Sequence, residues 1–174
     1  ELQTGLHAFR QVVREVCLQR HIEPRLALGR HTFDLELAIH HLDVGLVRLE
    51  QVRGVMDELL NQAPYSVAVF ELVPDEPAQI KRILRLWADR DRLEVVFTIG
   101  SIRLTPRDHT PEATRELLEK EAPGLAELIR RECFKHNPAA ALSRGVAGLR
   151  GQSLIVNLPG GPEGVRQALN ALLP

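Results

Sequence analysis

Three times along this chain a strand-like run ends in a polar turn and a proline opens the next helix, and that repeated unit limits the possible folds more than any other feature. Ser66–Val73 leads through Pro74-Asp75-Glu76-Pro77 into a helix to about Asp89. Leu93–Ile99 leads through a longer polar turn into a helix from Pro111. Ser153–Val156 leads through Asn157-Leu158-Pro159-Gly160-Gly161-Pro162 into a closing helix to Leu172. Proline suits the first helical turn because its φ is already set and its missing N–H has no intrahelical partner to lose. An earlier unit has the same order: Phe33–Ile39 alternates like a half-buried strand, and Val47–Leu60 carries apolar residues at helical spacing. Strands alternating with helices across short turns predict a mostly parallel sheet covered by helices on both faces, a three-layer α/β domain over residues 33–174. Ligands of such sheets gather beyond the carboxyl ends of the strands, beside helix amino termini, so the three punctuated turns can converge on one pocket.

Two further segments flank this core. Leu6, Phe9, Val13, Val16 and Cys17 lie at three-and-four spacing, which predicts an amphipathic helix over residues 6–19 within an amino-terminal extension, residues 1–32. Pro123 starts another helix, Leu125–His136, which Asn137-Pro138 ends.

A formal net charge of -1, with 44% apolar and 26% charged residues, supplies no bulk field for nucleic acid or an anionic membrane. Any phosphate binding must therefore come from local geometry, and neither nucleic acid nor membrane is expected as a partner. Cys17 and Cys133 are too few for a disulfide scaffold and lack metal-ligand spacing. With no membrane-length apolar run and no signal-peptide pattern, a cytoplasmic location is expected. His40-His41 suggests a metal, but adjacent strand residues point to opposite faces, so the pair is a poor ligand set. Cys133 reads as a buried structural thiol and Trp87 as core.

The residues able to carry chemistry are Asp75, Gly100, Ser101, Arg103, Arg107, Asp108, Thr110, Ser143, Arg144, Asn157 and Gly160. Asp75 and Thr110 also occupy positions where helix caps sit, and Arg107 with Asp108 could simply pair within a turn. Their connecting text reads Val73-Pro74-Asp75-Glu76, Pro106-Arg107-Asp108-His109-Thr110-Pro111-Glu112-Ala113, Ala122-Pro123-Gly124, Leu142-Ser143-Arg144 and Asn157-Leu158-Pro159-Gly160. From Ser66 to Pro174 this ordered set resembles the molybdopterin-binding family, which includes the molybdopterin adenylyltransferases of the Mog and MoaB type and the G domains of gephyrin and its plant counterpart.

The resemblance implies the molybdopterin-binding fold, with molybdopterin and ATP as substrates, Mg²⁺ as cofactor, and transfer of AMP to the terminal phosphate of the pterin. It implies that Asp75 and Asp108 are the functional carboxylates and hold Mg²⁺. Gly100, Ser101, Arg103, Arg107, Thr110, Ser143, Arg144, Asn157 and Gly160 would then surround the phosphates. A homotrimer, and contact with other molybdenum-cofactor enzymes, are implied as well.

The sequence departs from the family pattern at two places. Where the family loop reads Thr-x-Gly-Gly-Thr-Gly, this chain has Thr98-Ile99-Gly100-Ser101-Ile102-Arg103. A left-handed Ile102 or Arg103 would cost roughly 1–2 kcal/mol each, so the loop is expected to take another path, with Arg103 offering its guanidinium to a phosphate. At the end of the first strand the family's aspartate is missing unless Asp43 takes its place. These changes weigh toward an alternative reading, a scaffold or binding relative that keeps the fold and has lost catalysis, while the intact carboxyl-terminal motifs weigh toward the adenylyltransferase, which is the leading expectation.

Overall fold

A computed structural model describes residues 33–40, 46–60 and 65–173. The expected helix over 6–19, the extension 1–32, and His41 and Asp43 lie outside the described residues. The chain runs β1 (Phe33–His40), α1 (Leu46–Leu60), β2 (Tyr65–Val73), α2 (Pro77–Arg85), β3 (Val95–Ile99), α3 (Thr110–Arg115), β4 (Lys120–Glu121), α4 (Pro123–Phe134), β5 (Ala147–Arg150), β6 (Ser153–Leu158) and α5 (Pro162–Leu172). A π-helical segment, Leu86–Asp91, continues α2 and buries Trp87, as the sequence led us to expect.

The strands form one sheet in the order β2-β1-β3-β6-β5-β4. The pairs β1–β2, β1–β3 and β3–β6 are parallel, so the carboxyl ends of four strands share one edge. Alternation along these strands sorts the core into two layers. Val95, Phe97 and Ile99 of β3, with Leu154, Val156 and Leu158 of β6, pack among Val52, Val55, Met56 and Leu60 of α1, Ile129 and Cys133 of α4, and Val165, Ala168, Leu169 and Leu172 of α5. Val96 and Ile155 face the other way, onto Ile80, Ile83 and Leu84 of α2, Trp87, and Ala113 of α3. This is the expected three-layer α/β architecture. No helix among the described residues is long and apolar enough to cross a membrane.

The sequence reading missed two strands. Ala147–Arg150 returns antiparallel to β6 across Gly151, whose φ of 55° turns the chain, and two-residue β4 pairs antiparallel with β5. Gly148 is what lets β4 approach: a Cβ there would press into the Lys120 carbonyl oxygen and lie 2.8 Å from Leu118 Cδ1. Because one of the two obstacles is backbone, Gly148→Ala is expected to lower stability by about 1–3 kcal/mol, read as a shifted denaturant midpoint at unchanged slope. A midpoint equal to wild type would show that the β4 edge yields freely.

Candidate active site

At the shared carboxyl edge the turn after β2, the long turn after β3 and the turn after β6 meet. The Gly100 N–H donates to the Leu158 carbonyl at 3.0 Å, and a Cβ on Gly160 would stand 3.4 Å from Gly100 Cα, so the last two turns lie backbone to backbone. The first turn joins through Asp75. Its Oδ2 accepts the Ser101 hydroxyl at 2.6 Å, and its Oδ1 accepts a longer bond from the His109 N–H at 3.4 Å. Asp75 is therefore not a helix cap: the N-cap of α2 is Glu76, and the Asp75 carboxylate reaches across to the neighbouring turn.

Positive φ in the long turn falls on Gly100 (91°) and Ser101 (51°), while Ile102 and Arg103 avoid it. The loop thus takes a path that spares its β-branched residue the left-handed region, as the substituted glycines required. Ile102 turns inward and is 4% exposed, whereas the Arg103 and Arg107 side chains are exposed and form no ion pair with a described residue. Arg107 does not pair with Asp108. Instead the Asp108 Oδ2 accepts the Thr105 N–H at 3.1 Å and the Thr105 hydroxyl at 2.5 Å, closing the turn from within.

Several residues expected near phosphate have other uses in the structure. Arg144, at the start of the segment leading into β5, donates through Nε to the Arg103 carbonyl at 2.5 Å and through Nη2 to the Asp108 carbonyl at 2.7 Å, and its Nη1 pairs with Glu112. Its planar fork is committed to holding the long turn in place, using a different nitrogen for each acceptor, a spread that a lysine's compact ammonium lacks. We expect Arg144→Lys to raise amide exchange through residues 103–108 about tenfold or more, since at least one charged hydrogen bond is lost. Exchange at the wild-type rate would mean that the turn holds itself.

Asn157 is 3% exposed and bonded internally: Oδ1 accepts the Val146 N–H at 3.1 Å, while Nδ2 donates to the hydroxyls of Thr98 at 2.7 Å and Thr114 at 3.0 Å. Both of its donors are used by protein, so it is a bracket between strand and helix rather than a group facing a ligand. Ser143 accepts the Gly145 N–H through its hydroxyl at 3.3 Å, and the Arg130 Nε bonds its carbonyl. Thr110 is fully buried in the first turn of α3 and does not cap it; the N-cap position is His109, and the Thr110 hydroxyl has no partner among the described residues. Burial pushes the Cys133 thiol up, which keeps it protonated at neutral pH and unsuited to nucleophilic work.

Glu112, Thr105 and the His109 N–H escaped the sequence reading, although the Thr105-to-Asp108 spacing is that of a side chain closing its own turn. Two clefts, of about 280 and 170 Å³, lie against α4 and share Glu127 and Arg130; no expected site residue lines either. The geometric convergence at the carboxyl edge is therefore the better guide to the site.

These features define an α/β domain that assembles its site from strand-to-helix turns at the carboxyl edge of a parallel sheet. The sequence profile of the family described as "Probable molybdopterin binding domain" matches residues 50–174, and the chain belongs to that family. It is 50% identical over 106 residues to the molybdenum cofactor synthesis protein cinnamon of Drosophila melanogaster, covering 59% of this chain and 18% of that protein. It is 42% identical over 124 residues to a molybdopterin adenylyltransferase of Helicobacter pylori, covering 71% of this chain and 69% of that protein. Among solved structures, the molybdopterin biosynthesis enzyme MoaB from Thermus thermophilus superposes with a TM-score of 0.73 at 52% identity, over 82% of this chain and 90% of that one.

Proposed function

We propose that this chain acts in molybdenum cofactor biosynthesis as a molybdopterin adenylyltransferase, binding molybdopterin and ATP at the carboxyl edge of its sheet. The observation that carries this reading is the carboxylate of Asp75, part-buried at that edge and held by donors from both ends of the turn after β3. In the reaction an oxygen of the pterin's terminal phosphate bonds to the α-phosphorus of ATP. The bond from that phosphorus to the bridging oxygen breaks, and its electron pair leaves with pyrophosphate. The exposed guanidinium groups of Arg103 and Arg107 flank the same turn and supply positive charge for phosphate oxygens.

The residues present fit Mg²⁺ as a partner to phosphates. Asp75 and Asp108 supply hard carboxylate oxygens at one edge of the sheet, and the bonds from Thr105 to Asp108 engage Oδ2 alone. An ion of this kind takes one or two carboxylates and completes its octahedron with phosphate and water. When bound, Mg²⁺ would neutralise charge building on the triphosphate.

Incubation with molybdopterin, ATP and Mg²⁺ is expected to yield adenylylated pterin and pyrophosphate. The rival reading, a binding scaffold, is favoured by one observation: Ser101, Ile102 and Arg103 stand where the family motif has Gly-Thr-Gly. Pterin binding without any adenylylated product would decide for the scaffold. Self-association, with a trimer as the expected state, is supported by Leu128, Phe134 and Leu142, exposed on α4 and the turn beyond it. Sedimentation showing only monomer at high micromolar concentration would remove it.

A further inference from the structure

Ser101 and Arg92 are the only described residues other than glycine with positive φ, and they differ in setting. Arg92 is exposed and ends the π-helical segment, where a left-handed residue commonly stops a helix. Ser101 is 8% exposed, lies in the middle of the candidate site, and follows a glycine that is itself at φ 91°. A residue with a Cβ is disfavoured in that conformation and persists there only where its surroundings hold it. Among the described residues the Ser101 side chain makes one hydrogen bond, its donation to Asp75 Oδ2 at 2.6 Å, a short bond to a charged acceptor of the kind strong enough to offset such strain.

The second donor to Asp75, the His109 N–H on Oδ1, comes from the other end of the same turn. That turn is in turn fixed by Arg144, through the carbonyls of Arg103 and Asp108. A rigid segment thus presents one donor to each oxygen of a single carboxylate, which sets the plane of that carboxylate. We propose that Ser101 is a positioning residue: its hydroxyl, at a place where the family motif has only a glycine hydrogen, orients Asp75 toward the transferring phosphate. The proposal rests on the adenylyltransferase reading for its catalytic consequence, but the hold of Ser101 on Asp75 stands by itself.

Three variants test it in the full chain. Ser101→Gly removes the hydroxyl and also relieves the backbone, so it should fold at least as stably as wild type. It should nonetheless lower kcat for adenylyl transfer about 10-fold to 100-fold, the worth of one hydrogen bond to a charged group, with KM for ATP within about twofold. Ser101→Ala should show the same loss of kcat together with reduced thermal stability. In an Asp75→Asn background Ser101→Gly should have no further effect, because the hydroxyl acts only through that carboxylate. A Ser101→Gly enzyme as fast as wild type or faster, or one whose loss adds in full to that of Asp75→Asn, would overturn the proposal.

Crystal structures of wild type and Ser101→Gly supply a readout that needs no turnover. The Asp75 carboxylate should leave its wild-type orientation in the variant, because the donor that Ser101 gives to Oδ2 is gone, and an unchanged Asp75 rotamer would also overturn it. If wild type makes no adenylylated pterin while the rotation is seen, the adenylyltransferase reading fails and the hold of Ser101 on Asp75 survives.

Discussion

Asp75→Asn is expected to lower adenylyl transfer about 100-fold or more while leaving the unfolding midpoint close to wild type. The amide keeps the shape of the carboxylate, and with its oxygen toward the His109 N–H its NH2 can donate to the Ser101 hydroxyl oxygen, so the turn after β2 has no reason to move. What disappears is formal negative charge at the edge where phosphate and Mg²⁺ are proposed to meet. Removing one electrostatic contributor from a catalytic centre commonly costs about 2.7–4 kcal/mol of barrier, or about 10²–10³ in rate. Asp108→Asn makes an informative contrast. Its Oδ2 closes the Thr105 turn, so its loss should combine a smaller fall in rate with a looser turn. Parallel turnover and thermal-melt measurements decide the matter: Asp75→Asn within about threefold of wild-type activity would take that residue out of the chemistry.

The largest effect on stability should come from a residue whose motif resemblance suggests a ligand contact. Asn157→Leu preserves volume but leaves the Val146 N–H and the hydroxyls of Thr98 and Thr114 without their partner in a part of the core closed to water. Each orphaned buried group costs about 1–3 kcal/mol. Each hydroxyl loses only a donor to its oxygen and keeps its own proton to donate, whereas the N–H loses its acceptor, so a total of about 3–4 kcal/mol is expected. Urea unfolding of the ligand-free protein measures it. A loss below about 1 kcal/mol, combined with weakened pterin binding, would restore Asn157 to the list of ligand contacts.

These two residues also mark where sequence reading succeeds and where it stops. The strand-turn-helix units were legible because period-two and period-3.6 patterns and the prolines at the helix starts are local properties of the chain. β5 was not, since Ala147-Gly148-Leu149-Arg150 offers two small residues and no clear alternation, and its pairing is fixed by β6 rather than by its own propensity. Asp75 looked like a cap because capping rules consult only near neighbours, whereas its partner Ser101 is 26 positions away. Arg144 looked like a phosphate donor because a cation beside a motif carries no sign of the Arg103 carbonyl, 41 positions earlier, that engages it. For Asn157 the decisive fact is registry. Thr98 lies directly across the β3–β6 ladder from it, and α3 lays Thr114 over both.

The three-way grip of Arg144 on the turn after β3 bears on the thermodynamics of association. A surface loop that must be ordered by its ligand contributes an unfavourable entropy to each binding event. Here the ordering is completed when the chain folds, through bonds to the Arg103 and Asp108 carbonyls and to Glu112. Calorimetric titration of the pterin should then show a heat-capacity change of the size expected for surface burial alone. Arg144→Lys should shift the same titration toward a more favourable enthalpy opposed by a larger entropic loss, the mark of a loop that now orders only when its ligand arrives.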